Sequence, residues 1–196
     1  NLASHRGSRR VTRRARGQSL NSMQAIYAKA KLIRLAIFDV DGVLTDGSLY
    51  LTDAGEEIKA FNSLDGHGLK MLRESGVALA IITGRTSQSV ALRAQNLGID
   101  LLFQGVADKA QAFAELIAAR ALDAAAAAYM GDDVVDLPVL RRCGLALSVP
   151  HAPLVVRQHA HYVTRAHGGR GAVREACELI MHAQGTLAGA LAHYLK

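Results

Sequence analysis

The sequence predicts an α/β fold: a doubly wound, Rossmann-like parallel sheet with a small β-hairpin. Three observations predict it. After residue 30, short apolar runs alternate with helical patterns, the signature of a parallel sheet with crossover helices. Several runs are continuously apolar, as strands buried on both faces must be. Three runs end in distinctive polar groups: Asp39-Val40-Asp41-Gly42, Thr83-Gly84-Arg85 and Gly131-Asp132-Asp133. In open parallel sheets, ligands bind outside the carboxyl ends of the strands, so these groups converge on one crevice.

The elements follow in order. Leu32–Phe38, interrupted only by Arg34, reads as a buried strand. Leu49–Leu51 and Ile58–Phe61 flank Thr52-Asp53-Ala54-Gly55-Glu56 and read as a hairpin. Leu69, Met71 and Leu72 mark a short helix ending near Gly76, and Val77–Thr83 a second buried strand. A helix runs from about Ser87 to Leu97 and stops at Gly98. Asp100–Gln104 is a short strand. Lys109–Leu122 is a helix with Phe113, Leu116, Ile117 and Ala121 on one face. Ala125–Met130 is a strand entered through the alanine run, Leu145–Val149 and Tyr162–Val163 are weaker strands, and the last helix begins near Ala172.

Bulk properties limit the function classes. The chain has 196 residues, half of them apolar and a fifth charged, as expected of one globular domain. No apolar run nears the roughly 20 residues that cross a bilayer, and no secretory signal is visible, so a cytoplasmic location and no membrane partner are expected. The net charge of +6 resides in the leader: residues 1–22 hold six of the 23 Lys and Arg and no acid, leaving 17 against 17 acids. Residues 1–22 read as a basic, disordered leader and 23–196 as a single domain. A nucleic-acid-binding arm is the competing reading of those arginines. Cys143 and Cys177 are far apart and read as small buried hydrophobes. His151, His159, His161 and His167 read as solvated surface, with His159 and His161 sharing a strand face.

Chemistry is concentrated at the strand ends. Two carboxylates one residue apart, Asp39 and Asp41, can divide nucleophilic attack and proton transfer. Asp132 and Asp133 could complete an all-oxygen shell for a hard cation such as magnesium. Thr83 offers a hydroxyl and Lys109 a charge to phosphate oxygens. A calcium loop starting at Asp39 fails on spacing, with Leu44 at its glycine position and Tyr50 at its glutamate position.

Together, DVDGVLT (39–45), ITGR (82–85), Lys109 and GDDVVD (131–136) resemble the haloacid dehalogenase superfamily of phosphatases. The resemblance implies Asp39 as nucleophile and metal ligand. It implies Asp41 as general acid and base, with its backbone carbonyl on the metal. Thr83, Gly84 and Lys109 would bind phosphate, Asp132 would bind Mg2+, and Asp133 and Asp136 would be supporting acids. An acid at Asp41 favours phosphoryl transfer over dehalogenation. Asp46 to Thr83 holds only a hairpin and one helix, and Arg85 to Lys109 only a helix and a strand, which matches the capless branch. GEEIKAFNSLDGHG (55–68) and GGRGAVRE (168–175) are similar to the family that hydrolyses 3-deoxy-D-manno-octulosonate 8-phosphate. That resemblance implies a homotetramer with packed hairpins and tails crossing into neighbouring sites. Ser63-Leu64 departs from relatives that carry a basic residue there, leaving Arg85 and Arg170 as candidate partners of the substrate carboxylate. Phosphatases of nine-carbon sugar-acid 9-phosphates share the same catalytic residues and are the nearest alternative.

Overall fold

The computed structural model describes residues 22–196. The basic leader expected over 1–22 lies outside the described residues except for Ser22. Helix α1 occupies 22–30. The strands are β1 (Leu35–Phe38), β2 (Tyr50–Leu51), β3 (Glu57–Ile58), β4 (Ala78–Ile82), β5 (Leu101–Phe103), β6 (Ala127–Met130), β7 (Leu145–Ser148) and β8 (Tyr162–Val163). The remaining helices are α2 (Ser63–Glu74), α3 (Gln88–Leu97), α4 (Lys109–Ala119), α5 (Leu137–Leu140), α6 (Leu154–His159), α7 (Ala172–Gln184) and α8 (Leu187–Ala192).

Six strands form one parallel sheet in the order β5-β4-β1-β6-β7-β8, and β2 and β3 form the separate hairpin. The doubly wound α/β fold expected from the sequence is thus present. β1 is central and wholly buried. It pairs with β4 and β6 in a register that sets Phe38 beside Ile81 on one side and Met130 on the other. The residues just beyond this row are Asp39, Thr83 and Asp132. Because the chain steps from β1 out to β4 and β5 and then back across to β6, the loops diverge around β1 and open a crevice there. One buried apolar cluster, from Ile26 to Met181, underlies the sheet.

Several boundaries differ from the sequence reading, each for a local reason. The Leu32–Phe38 run becomes strand only at Leu35. Lys31 and Leu32 donate back to Tyr27 and Lys29 and close α1, leaving Leu32 60% exposed. The hairpin strands are shorter than expected because the loop takes its own bonds: Thr52 N–H to Glu56 O, and Glu56 N–H to the Thr52 hydroxyl. α2 starts well before Leu69, capped by the Asn62 side chain. Its glycines weaken helix propensity, which hid its first turns from the sequence, yet Gly68 is needed. A side chain there would meet Arg174 of α7 at 2.8 Å.

α4 stops at Ala119. Ala121, assigned to its apolar face, instead sits in a left-handed turn at φ 50° and is exposed. The last helix is α8, not α7, and the short helices α5 and α6 carry too few turns to show a period. His159 ends α6 while His161 precedes β8, so they share no strand face. All four histidines are exposed, as expected. Cys143 and Cys177 are buried free thiols.

Candidate active site

Asp39 follows β1 directly, its N–H donating to Met130 O at 3.0 Å. The chain then makes a five-residue turn, Val40–Leu44, closed by Thr45 N–H on Val40 O. Gly42 inside it has φ 82°, and an added side chain would come within 1.9 Å of the Asp132 carboxylate. Only glycine permits both the turn and the approach of Asp132 to this loop.

Asp39, Asp132 and Asp136 place carboxylate oxygens within 4.8 Å of one another. Lys109, the first residue of α4, neutralises part of this charge. Its Nζ lies 2.6 Å from Asp39 Oδ2 and 2.7 Å from Asp136 Oδ1. Burial alone would lower the Lys109 pKa, but Asp39 and Asp136 outweigh it and hold it above the ordinary lysine value.

Asp136 is fully buried and committed. Its Oδ1 accepts from Lys109 and from Tyr129 Oη at 2.6 Å, and its Oδ2 accepts from the N–H groups of Asp132 and Asp133 at 2.9 and 3.1 Å. Four donors leave it a scaffold for Lys109 and for the Gly131–Asp133 loop. Asp133 is exposed and caps the 3-10 turn Val134–Asp136. Division of labour between these two acids was not readable from their spacing alone.

The remaining pair, Asp39 and Asp132, is less fully compensated. Burial, opposed by Lys109 and reinforced by Asp136, raises the Asp39 pKa to about 6. Burial first, then Asp39, Asp136 and Asp133, raises that of Asp132 to about 7. Hard carboxylate oxygens that repel one another at a crevice mouth fit a divalent cation such as magnesium, which removes the repulsion. The Asp41 side chain is not part of this cluster, leaving only its backbone carbonyl for the metal role given to it.

The crevice has a volume of about 390 Å³ and is lined by Asp39, Asp41, Thr83, Gly84, Arg85, Lys109, Asp132 and Asp133, together with Gly47 and Val135. It therefore gathers every expected site residue except Asp136 and Arg170. A larger hollow of about 520 Å³ lies between α1, β8 and α7. Its Glu175 carboxylate is used by Tyr162 Oη and the N–H groups of Arg165 and Ala166, so size is a poorer guide here than chemistry.

Two residues missed by the sequence reading stand at the crevice edge. Lys59 Nζ lies 2.5 Å from Asp41 Oδ1 and 2.7 Å from Glu57 Oε1, with its side chain 2% exposed. Burial would lower the Lys59 pKa, yet Asp41 and Glu57 raise it above the ordinary value. Arg85 is half-exposed, bonded to Glu57, and its Nε is 3.9 Å from Asp41 Oδ2. Period-two alternation could have found the pair: Glu57 and Lys59 share one side of the strand line, opposite exposed Ile58.

Arg170 stands apart, exposed, 3.3 Å from Asp46. Its glycine neighbours are closely packed against the loop after β1. A side chain at Gly168 would meet Gly42 O at 1.8 Å, and Gly169 N–H donates to Val43 O. Asp65 fixes the same loop, accepting from Gly171 and Arg174 N–H groups at the start of α7. Burial raises the Asp65 pKa against those bonds.

A buried carboxylate after β1, a second acid two residues on, a lysine and an acidic loop after β6 define a phosphoryl-transfer hydrolase of the haloacid dehalogenase type. Comparison with known proteins narrows this. No family model matches the chain. The 3-deoxy-D-manno-octulosonate 8-phosphate phosphatase KdsC of Yersinia pestis is 48% identical over 165 residues, covering 84% of this chain and 88% of that protein. A YrbI-family phosphatase from Pseudomonas syringae superposes with a TM-score of 0.87 at 54% identity, covering 88% of this chain and 98% of that one. A 3-deoxy-D-manno-octulosonate 8-phosphate phosphatase from Moraxella catarrhalis, solved with magnesium, phosphate and KDO, gives 0.85 at 44% identity, covering 86% and 97%. This chain belongs to the KdsC/YrbI phosphatase family of the haloacid dehalogenase superfamily and is a phosphoric monoester hydrolase.

Proposed function

We propose that this chain hydrolyses 3-deoxy-D-manno-octulosonate 8-phosphate to the free sugar acid and phosphate, in lipopolysaccharide biosynthesis, with Asp39 as nucleophile. The observation that carries the reading is the convergence of Asp39, Asp41, Lys109 and Asp132 on one crevice, in a chain whose relatives bear that substrate in their names. Asp39 attacks phosphorus. The bond from phosphorus to the sugar oxygen breaks, and Asp41 delivers a proton to that oxygen. Asp41, now a carboxylate, takes a proton from water, which attacks phosphorus and frees Asp39. Thr83, the Gly84 backbone and Lys109 hold the phosphoryl oxygens. Asp39, Asp132 and the Asp41 carbonyl would hold magnesium, which would offset the repulsion between carboxylates and phosphate.

Arg85 and Arg170 are the candidates for the substrate carboxylate. Arg85 already lines the crevice. Arg170, outside it in one subunit, serves a neighbour's site in this reading. If Arg170→Ala and Asp39→Asn subunits are mixed with exchange confirmed by mass, activity above both parents supports action in trans, and activity at the parental average refutes it. The assembly proposed is a homotetramer packed through the hairpins, because Leu49, Tyr50, Leu51 and Ile58 expose 50, 49, 66 and 56% of their surface. A cytoplasmic location accords with two buried free thiols.

Steady-state kinetics on the 8-phosphate and on a nine-carbon sugar-acid 9-phosphate test the substrate. A higher kcat/KM for the former is expected, and the reverse order replaces this reading with its nearest alternative.

A further inference from the structure

Asp41 has two carboxylate oxygens, and its neighbours treat them differently. Oδ1 is taken by Lys59 Nζ at 2.5 Å. Among the described residues, Oδ2 has only Arg85 Nε, at 3.9 Å, beyond hydrogen-bond distance. Lys59 is itself held in place, with its side chain 2% exposed and a second anchor on Glu57 at 2.7 Å. Glu57 is in turn bonded to Arg85 from the loop after β4. The hairpin thus reaches across the crevice edge and clamps one oxygen of a carboxylate carried by the loop after β1.

We propose that Lys59 is a positioning residue for proton transfer: by occupying Asp41 Oδ1 it presents Oδ2 to the leaving group and then to water. The inference rests on the reading of Asp41 as acid and base. A carboxylate attached through one rotatable bond to its Cβ loses rotational freedom when one oxygen is fixed, and proton transfer requires the other oxygen within hydrogen-bond reach of its target. Proton transfer also becomes dependent on a hairpin that two short strands hold only weakly by themselves.

The leaving group provides the test, because a sugar alkoxide must be protonated as it departs and a nitrophenolate need not be. In Lys59→Met, turnover of 3-deoxy-D-manno-octulosonate 8-phosphate falls about 10- to 100-fold, part of the range that general acid–base catalysis supplies. With p-nitrophenyl phosphate the first step survives while water activation slows, so rapid mixing gives a burst of nitrophenolate equal to the enzyme concentration. Glu57→Gln, which loosens only the second anchor, shows the same pattern at smaller size and covers the case in which Lys59→Met folds poorly. Equal proportional losses on both substrates with no burst, or no loss at all, overturn the proposal. Asp41→Asn separates the two readings: if it keeps wild-type turnover, the acid–base role itself falls, whereas if it is inactive and Lys59→Met is not, only the positioning role falls.

Discussion

Asp39 and Asp41 stand one residue apart, yet they sit in two different kinds of charged surroundings. Asp39 is in an inner network, with Lys109, Asp136 and Tyr129, whose members come from β6, from the turns after β1 and β6 and from the first turn of α4. Asp41 is in an outer network, with Lys59, Glu57 and Arg85, and two of those come from the hairpin. The inner network is buried and tied to the core. The outer one depends on a two-stranded element whose far side exposes Tyr50 and Ile58. Under the proposed roles of these two acids, the difference teaches that attack on phosphorus would be positioned by the fold itself and proton transfer by an appendage.

The largest expected effect tests the inner network directly. Asp39→Asn should lower turnover by roughly 10⁴-fold or more, the scale on which covalent catalysis loses its nucleophile. The fold should not suffer. Burial raises the pKa of folded Asp39 to about 6, above the ordinary carboxylate value, so at neutral pH its ionised form costs stability in the metal-free protein. Thermal melting in chelator should therefore place Asp39→Asn no lower than wild type. Added magnesium at about a hundredfold excess over its Kd should raise the wild-type Tm by about 5–10 °C. Asp132→Asn should lose most of that rise, and an undiminished rise would remove Asp132 from the metal site.

Next in size is Lys109→Met. It leaves Asp39 and Asp136 facing each other without their shared cation, which should cost about 3–5 kcal/mol in denaturant unfolding along with activity. A loss under 1 kcal/mol would show that the inner network is not what fixes this end of the sheet.

The outer network should respond to assembly instead. Replacing Tyr50 and Ile58 together by serine should shift sedimentation toward the monomer and lower turnover by about tenfold, while core stability changes by less than about 1 kcal/mol. A monomer of full activity would cut the link between hairpin packing and proton transfer.

The smallest effect concerns the rest of the core. Burial pushes the Cys143 thiol to about 12 and the Cys177 thiol higher still, so neither should react with a thiol reagent in the native protein at pH 8. Labelling before unfolding would reveal local opening near the sheet.

Much of the crevice was legible without coordinates. Asp39, Thr83, Lys109 and Asp132 each follow a strand or open a helix, and topology alone carries the carboxyl ends of parallel strands to one edge. The α/β class followed from the same alternation. The roles of Asp133 and Asp136 were not legible, because an acid's role depends on how many donors reach it. Asp136 meets four and Asp133 caps a turn.

The sequence by itself determined the parallel sheet, the strand ends that carry chemistry and the absence of a large inserted cap. These follow from patterns local to a few residues or from the order of elements along the chain. Only the tertiary structure decided which side chains meet across long separations. Lys59 reaches Asp41 because the hairpin folds back over the loop after β1, and Gly168 reaches Gly42 because Asp65 of α2 anchors the entry to α7. Such contacts depend on where rigid elements are docked. Burial and charge pairing settle that docking over the whole molecule, and no short stretch of sequence records it.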